Sequence, residues 1–535
     1  MRLSCALIVC LGFVFGDASG RTSEPDSLVD QSQAWQRVST RFRMPRADDI
    51  ITIDTRRVVR VVPPGVVGWG AMWKRDILWP SPPKQFANDR QHQAYIKRLA
   101  SVNKPLVREA DLRHISWPWG VTFSTFGVNW ENSAKPWSQR VADCTRGSGW
   151  CEKTIVGVGD LLTLADAWEL QAVTVAVPLA VFDGNRPRWG PRLFHDDFTD
   201  DTIEHISDHA LRLVAFMKKH AAWKKLDRVY LSAGCEWRKY KLRSPSSAVL
   251  TYSKLIKRIR EKIKDAKVWI VASASDSADI PGRERAKSAN WNPFLYKQLH
   301  NVPRIALDLH RYRGMIGSKP APDNTMPMTP HNIDLLLNTG VSQRGYLTVD
   351  PAQWNASGKP MPTILLENAI HGHDASHQKQ ATGPHPWPAV MAHADLVREA
   401  LAGESLAFLG WTWFPENLPP EWPHGAIRDG KLAAHARAQA FLSRYHRGQV
   451  LDTGRPASGP VRGNATRTGD GQLFAYGGNF SRKKHTLGFS MRGKKMTGGQ
   501  VEILSEKGLQ KIRWDGKTPI PLPPMTLWRV RFTTP

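Results

Sequence analysis

After its first twenty residues, the sequence has no hydrophobic run that approaches the length of a membrane span. The first twenty residues have the organisation of a secretory signal. Arg2 supplies a short basic start, residues 3–15 form an apolar core, and residues 16–20 are small and suited to cleavage. The sequence therefore predicts an exported protein, secreted or periplasmic, with no membrane span in the mature chain.

Cysteine is scarce, with five in 535 residues, of which two lie in the predicted signal. Cys144 and Cys151 lie in a loop rich in Gly, Ser and Trp, and in an oxidising compartment this spacing favours a small disulfide loop. Cys235 is then left over, directly before Glu236.

Acidic residues are also few: 48 Asp and Glu face 74 Lys and Arg, a formal net charge of +26. Such a balance favours polyanionic partners, and for an exported protein a sulfated or uronate-rich polysaccharide is a better candidate than nucleic acid. The alternative interpretation is a general basic bias that serves solubility. The sequence has no internal repeat and no low-complexity tract.

Two apolar, β-prone stretches each end in a glutamate. Residues 229–238 read VYLSAGCEWR and carry Glu236, and residues 362–373 read PTILLENAIHGH and carry Glu367. Helical sequence lies between them. Catalytic groups of a (β/α)8 barrel sit at the carboxyl ends of its parallel strands. The pattern therefore predicts two carboxylates at the mouth of one barrel.

The surrounding sequence alternates apolar strands, polar loops and amphipathic helices, which is typical of a parallel α/β architecture. Helices are predicted at residues 161–170 and 247–264, and another begins at a cap formed by Thr199 or Asp200. Eight strands are the number that closure of the barrel needs. The predicted strands are residues 66–72, 105–108, 173–182, 229–234, 268–274, 304–309, 363–366 and 407–410.

Past about residue 444 the helical pattern stops, and short β-prone segments alternate with Gly, Pro and Asn turns, as in a small antiparallel β-sandwich. We therefore predict an α/β fold, a (β/α)8 TIM barrel with a C-terminal antiparallel β-sandwich domain. The expected domains are a signal peptide (1–20), an N-terminal arm (21–60) suited to add a strand to the sandwich, the barrel (61–445) and the sandwich (446–535).

The functional residues resemble those of a known clan. Glu236 after strand four, Glu367 after strand seven, His310 and Tyr312 after strand six and Trp411 after strand eight resemble the retaining glycoside hydrolases with a (β/α)8 barrel. With its added sandwich, the chain is most similar to the xylosidase, arabinofuranosidase, iduronidase and heparanase-like families. The resemblance implies hydrolysis of a poly- or oligosaccharide by double displacement, without cofactor or metal. It also implies that Glu236 is the acid/base and Glu367 the nucleophile.

Other side chains are candidates for the same site. Arg108, predicted at the end of strand two, and the Tyr312 hydroxyl are donors that would keep Glu367 ionised. Burial beside Cys235 and Trp237 would raise the pKa of Glu236 and suit it to donate a proton. The candidate substrate contacts are Arg108, His310, Tyr312, Trp411, Trp69 and Asp183.

One position departs from the clan, which has Asn before the acid/base where this chain has Cys235, a poor hydrogen-bond partner. A non-catalytic glycan-binding barrel is therefore an alternative function. A second alternative is a metal-dependent hydrolase or a polysaccharide lyase. His371, His373, Asp374 and His377 have side chains that bind zinc, but no partner motif accompanies them, and contact with substrate or a plain polar surface is the preferred interpretation.

Overall fold

The computed structural model describes most of the chain from residue 49 to residue 533. The described residues are 49–70, 89–117, 158–177, 181–183, 186–188, 199–234, 245–274, 291–313, 330, 333–334, 337, 361–370, 386–403, 405–411, 413, 425–428, 430–454, 459–493 and 497–533.

Eight parallel strands form a closed barrel, in the order β2-β3-β4-β7-β8-β9-β10-β11, with β11 paired to β2. The fold class predicted from the sequence is confirmed, because a separate and mostly antiparallel sheet follows the barrel. In chain order the first eleven strands are β1 (Asp49–Val61), β2 (Val67–Gly70), β3 (His114–Trp117), β4 (Ala172–Ala176), β5 (Val181–Asp183), β6 (Arg186–Arg188), β7 (Arg228–Ala233), β8 (Val268–Ser273), β9 (Ile305–Arg313), β10 (Thr363–Ile370) and β11 (Ser405–Trp411).

The described helices are α1 (Asp89–Glu109), α2 (Val158–Ala167), α3 (Asp200–Lys219), α4 (Ala222–Lys225), α5 (Pro245–Lys262), α6 (Trp291–Leu299), α7 (Trp387–Ala402) and α8 (Ala434–Ser443). Thr199 caps α3, as predicted, because its hydroxyl accepts a hydrogen bond from the Thr202 N–H at 3.2 Å. None of these helices has the length and apolar character needed to span a membrane.

The barrel separates two apolar layers by the alternation of side chains along its strands. Tyr230, Val271, Ala306, Ile364 and Leu409 belong to a cluster inside the barrel. Their strand neighbours pack instead in the larger cluster between strands and helices, among them Leu231, Ile270, Leu307, Leu365 and Phe408. Adjacent residues of one strand therefore face two different surroundings.

The prediction of a strand at residues 105–108 is wrong. Those residues are the last turns of α1, whose buried side chains Ile96, Ala100 and Val107 recur at helical spacing. The second barrel strand is β3, with the sequence HISW. His114 and Ser116 interrupt its apolar character, so β3 lacks the apolar run by which the other strands were recognised.

Several barrel strands run further than predicted. β9 continues to Arg313, β10 to Ile370 and β11 to Trp411, so His310, Tyr312, Glu367 and Trp411 lie within strands rather than after them. The third strand is shorter than predicted, since β4 ends at Ala176. The segment β5 is part of a separate hairpin with β6.

Nine strands form the second sheet, in the order β19-β18-β21-β16-β15-β14-β1-β17-β20. β1 pairs antiparallel with β14 and parallel with β17, so residues far apart in the chain complete this sheet. A two-stranded hairpin, β12 (Ile427–Arg428) and β13 (Lys431–Leu432), precedes α8. The remaining strands are β14 (Gln449–Asp452), β15 (Val461–Arg467), β16 (Leu473–Asn479), β17 (His485–Arg492), β18 (Gly498–Ser505), β19 (Gly508–Trp514), β20 (Ile520–Leu522) and β21 (Thr526–Thr533).

Buried polar groups join the sheet to barrel helices α7 and α8. Asp395 of α7 pairs with Arg398 at 2.7 Å and with Arg462 of β15. Arg529 of β21 pairs with Glu502 of β18 at 2.5 Å and donates to the Phe441 carbonyl of α8 at 3.0 Å. Because buried charges must be paired, these contacts hold the sheet in one orientation on the barrel.

Candidate active site

The amino-terminal end of the barrel is filled by stacked rings. His114 lies against Tyr230, with ring centroids 5.3 Å apart and planes 16° from parallel. His114 Nδ1 is 3.0 Å from the Gly65 carbonyl, which can only accept, so Nδ1 carries the proton and Nε2 accepts from the Thr174 hydroxyl at 2.8 Å. Burial lowers the pKa of His114 to about 3, although the hydrogen bond to Gly65 acts in the opposite direction. This end of the barrel is a packed floor with a neutral imidazole.

Polar side chains occupy the barrel interior nearer the carboxyl ends of the strands. Ser116, Ser232, Ser273 and Asp308 are all buried, and each follows an interior residue at a spacing of two. Ser273 of β8 is directly paired with Asp308 of β9. Serine is much smaller than the rings of the floor, so the interior side chains change from large rings to mostly small polar groups along the barrel axis.

Glu367 and His310 are neighbours at the carboxyl end of the barrel. The ladder between β10 and β9 pairs Glu367 with His310 and Ala369 with Tyr312. Adjacent strands are about 4.8 Å apart, so the two backbone positions lie side by side. The register shifts between Ile364 and Glu367, which re-aims the end of β10 relative to its buried part. On the other side, Asn368 pairs with Gly410 of β11, next to Trp411.

The carboxyl end of β7 leads directly toward Glu236, which itself lies outside the described residues. Tyr252 of α5 braces this end. Its hydroxyl donates to the Ala233 carbonyl at 2.7 Å and accepts from the Ser273 N–H at 2.7 Å, so one buried side chain ties β7 to β8. Gly234 follows with φ of +105°, a conformation that favours glycine, and the chain turns out of the strand there.

Two predicted substrate contacts are wrong. Arg108 is exposed in the last turn of α1, just before β3 begins, and so lies at the amino-terminal end of the barrel, away from Glu367. Trp69 is 1% exposed and packs outside the barrel, against His393 of α7 and His435 of α8 at centroid distances of 6.3 and 5.6 Å. Its ring is part of the core between strands and helices and is closed to a sugar.

The other predicted contacts lie on the carboxyl side. His310 and Tyr312 are in β9, Trp411 is the last residue of β11 and pairs with Gly70, and Asp183 ends β5 beyond the third barrel strand. Cys144, Cys151 and Cys235, together with residues 371–377, lie outside the described residues. Within the described part of the chain, no three His, Cys, Asp or Glu side chains converge as metal ligands would.

Sequence reasoning missed Tyr252 and the polar layer. Ser232 and Asp308 each interrupt an apolar strand at an interior position, and that interruption is the signal by which they were recognisable. Tyr252 carries no such signal, because its position on α5 fits an ordinary buried helix face.

Comparison with known proteins supports the fold. No family model and no curated protein matches the sequence. The structure is similar to AbfB, a family 51 α-L-arabinofuranosidase from Bifidobacterium longum, with a TM-score of 0.58 and 15% identity over 91% of this chain and 99% of that one. It is also similar to a glycoside hydrolase family 44 endoglucanase from Clostridium acetobutylium, with a TM-score of 0.55 and 12% identity over 91% and 99%.

A third similar structure is the catalytic domain of GH30 xylanase C from Talaromyces cellulolyticus, with a TM-score of 0.51 and 12% identity over 91% of this chain and 100% of that one. Nearly the whole length of each of these proteins is matched. The resemblance drawn from the sequence is thus confirmed at the level of the fold, barrel and added β domain together.

Proposed function

We propose that this protein is a glycoside hydrolase that cleaves a poly- or oligosaccharide with retention of anomeric configuration. The observation that carries the proposal is the placement of Glu367 beside His310 at the carboxyl end of the barrel, in strand seven. Strand four, β7, leads at the same end toward Glu236. The names of the similar structures, an arabinofuranosidase, an endoglucanase and a xylanase, support glycan hydrolysis as the reaction class.

The reaction would proceed in two displacements. Glu367, ionised, attacks the anomeric carbon while Glu236 gives its proton to the leaving oxygen, and the glycosidic bond breaks. Glu236 then removes a proton from water, which attacks the same carbon and releases Glu367. This chemistry needs the two carboxyl groups about 5 to 5.5 Å apart, across the barrel mouth. His310, Tyr312 and Trp411 are the proposed substrate contacts near Glu367, and Asp183 is a proposed contact in the hairpin after strand three.

The substrate is proposed to be extracellular and anionic. The predicted signal at residues 1–20 supports export, and the formal charge of +26 supports a sulfated or uronate-containing glycan. Cys235, which stands where the clan has Asn, supports a sugar that is modified next to the reacting carbon, because the usual side-chain hydrogen bond is missing there.

Substitution of the nucleophile tests the proposal. Glu367→Ala should reduce turnover of an activated aryl glycoside at least about a thousandfold, because no covalent intermediate can form. Added azide should then restore product as a glycosyl azide of inverted configuration, since azide can occupy the space of the missing carboxylate.

Glu261→Ala is the matched control, because Glu261 is an exposed carboxylate on the outer helix α5. It should retain full activity, and both variants should keep the wild-type circular dichroism spectrum. Full activity of Glu367→Ala would refute the assignment. Binding of glycans by a wild-type protein that releases no sugar from a broad panel would favour the non-catalytic alternative instead.

A further inference from the structure

A groove of about 590 Å³ lies on the C-terminal sheet, outside the barrel. Its walls come from the start of β18, from β19 and from the end of β21. β19 is an edge strand of the nine-stranded order, so one side of it has no strand partner in that sheet. The side chains that line the groove include Thr497, Gln500, Lys511, Arg513, Trp514 and Thr533.

The groove is basic. Lys511 and Arg513 are exposed and line it, and no carboxylate does. Glu502 is buried and already neutralised by Arg529 at 2.5 Å, with Lys511 at 3.4 Å from its other oxygen. The exposed Asp515, next to Trp514, accepts hydrogen bonds from the Lys517 and Thr518 N–H groups and from the Thr518 hydroxyl. No ion pair of Arg513 occurs within the described part of the chain. One buried carboxylate therefore faces two cations, and Arg513 adds a third positive charge to this surface.

Strand register extends the charge across the sheet. Gln500 of β18 is paired with Arg513 on one side and with Arg531 of β21 on the other. Side chains opposite each other in a ladder share a face, so Arg513, Gln500 and Arg531 form one row. The two guanidinium-bearing residues are about 10 Å apart at the backbone, two strand spacings. Arg531 lies outside the groove lining and its Nε donates to Gln472 at 3.1 Å, so it adds positive charge beside the groove rather than within it.

Basic residues elsewhere on the surface are arranged differently. On the outer face of the barrel, Arg258 of α5 pairs with Glu204 of α3 at 2.7 Å, and Lys254 pairs with Asp200 at 2.5 Å. Those cations are paired with acids on the neighbouring helix, so their attraction for an external anion is weak. In the groove, by contrast, Lys511 shares Glu502 with Arg529, and Arg513 has no ion pair within the described residues.

We propose that this groove is an accessory binding site for an anionic glycan chain. Lys511 and Arg513 would contact its sulfate or carboxylate groups, and the hydroxyl and amide groups of Thr497, Thr533 and Gln500 would contact its sugar hydroxyls. The choice of a glycan among polyanions rests on the proposed function, whereas the basic groove itself does not. A chain held here would keep the polymer close to the barrel and raise its effective concentration at the mouth.

A glycan fits the groove better than a single-stranded nucleic acid does. Nucleic acids bind such surfaces through aromatic rings on which their bases stack. The ring of Trp514 is 6% exposed and packs in the sheet core against Phe489 and Phe532, with centroids 5.6 and 6.2 Å away. No ring that lines the groove is therefore open to stacking.

Binding to an immobilised sulfated glycosaminoglycan and to polygalacturonate tests the proposal without any need for catalysis. The double substitution K511A/R513A should weaken binding to at least one of them about tenfold at moderate salt, and the difference should shrink as ionic strength rises. K483A/K484A is the matched control. It removes the same charge from an exposed turn before β17 on the same sheet and should retain near wild-type affinity.

Catalysis supplies a separate readout. If the protein is a hydrolase, K511A/R513A should cleave a small aryl glycoside at the wild-type rate and lose efficiency only on the anionic polymer. Equal weakening by both double variants would show that net charge alone binds the polymer, and would overturn the proposed site. Unchanged affinity in K511A/R513A, or tighter binding of a single-stranded oligonucleotide than of either glycan, would also overturn it. Loss of activity in Glu367→Ala has no bearing on these results.

Discussion

At its amino-terminal end the barrel interior holds the stacked rings of His114 and Tyr230, whereas toward the carboxyl-terminal end the interior positions are Ser116, Ser232 and Ser273. The floor ring of His114 has both its nitrogens satisfied inside the protein. The polar layer places small hydroxyl groups under the mouth that Glu367 and His310 border. The same eight strands therefore carry packed rings at one end and mostly small polar side chains at the other, the end at which the catalytic residues are proposed to lie. Conservative changes at the two ends should have different consequences.

The largest effect is expected at the floor. His114→Ala should lower the free energy of unfolding by about 3 kcal/mol, because it empties a fully packed position and leaves the Gly65 carbonyl and the Thr174 hydroxyl without their partner. Catalytic activity per folded molecule should change little. Denaturant unfolding and activity assays at low temperature measure the two quantities separately.

Ser232→Ala is the corresponding change nearer the mouth. It removes one hydrogen bond, from the Ser232 hydroxyl to the Gly234 carbonyl at 3.1 Å, and should lower the free energy of unfolding by about 1 kcal/mol.

The result for His114→Ala decides whether the two ends differ in this way. Loss of activity in that variant at wild-type stability would show that the floor does not serve mainly to stabilise the fold.

The next largest effect is expected from acidification, which should lower the free energy of unfolding through His114. The pKa of His114 is about 3 in the folded protein and about 6.5 when the ring is exposed, so below pH 6.5 the unfolded chain binds a proton that the folded one does not. Stability therefore falls as pH decreases, and the fall ends near pH 3. Between about pH 8 and pH 5 this single group should cost about 2 kcal/mol.

His114→Asn isolates that contribution, because the asparagine amide can donate to the Gly65 carbonyl and does not titrate in this range. Unfolding free energies of the wild type and the variant, measured across the interval, should converge by about 2 kcal/mol as the pH falls. His446 is also buried with a lowered pKa, but it is present in both proteins and cancels in the difference. Parallel pH dependences would show that His114 is not the group responsible.

The barrel was predictable from the sequence because most of its strands are apolar runs followed by polar loops. The second strand was not, since the interior residues His114 and Ser116 break the run in β3, while the end of α1 contains the β-like sequence PLV. The prediction followed the local composition of residues 105–108, whereas the structure follows the helical spacing of the buried residues from Ile96 to Val107.

The site was predictable to the level of which strand carries which residue. Placement of Glu367, His310 and Trp411 at one end follows from strand order, which a parallel barrel fixes. The side of the strand on which Trp69 lies depends on the register within a four-residue strand, which neither composition nor spacing determines. The bond from Tyr252 to strands β7 and β8 is a long-range contact, and the pattern of α5 alone contains no information about its partners.

The smallest effect is expected for Tyr252→Phe, which removes a single hydroxyl group and compares the two ends of the barrel most directly. Tyr252→Phe should lower turnover about tenfold or somewhat more, because the Ala233 carbonyl loses its donor and the end of β7, which leads to Glu236, is less tightly positioned. The loss should be greater for substrates with poor leaving groups than for activated aryl glycosides, since only the former would depend on the proton donation proposed for Glu236. Steady-state kinetics on such a substrate pair measure the ratio.

Tyr230→Phe is the matched control, since it also removes one buried tyrosine hydroxyl, but at the floor, where Arg228 donates to that oxygen at 3.4 Å. Each substitution should cost about 1 kcal/mol of stability, while only Tyr252→Phe should alter the leaving-group dependence. Equal kinetic losses in the two variants would mean that any buried hydroxyl in the barrel has this effect and that Tyr252 does not position the proposed acid/base. A loss of turnover confined to Tyr252→Phe is expected instead. The floor keeps its packing without the Tyr230 hydroxyl, whereas the geometry of the mouth depends on the position of the carboxyl end of β7.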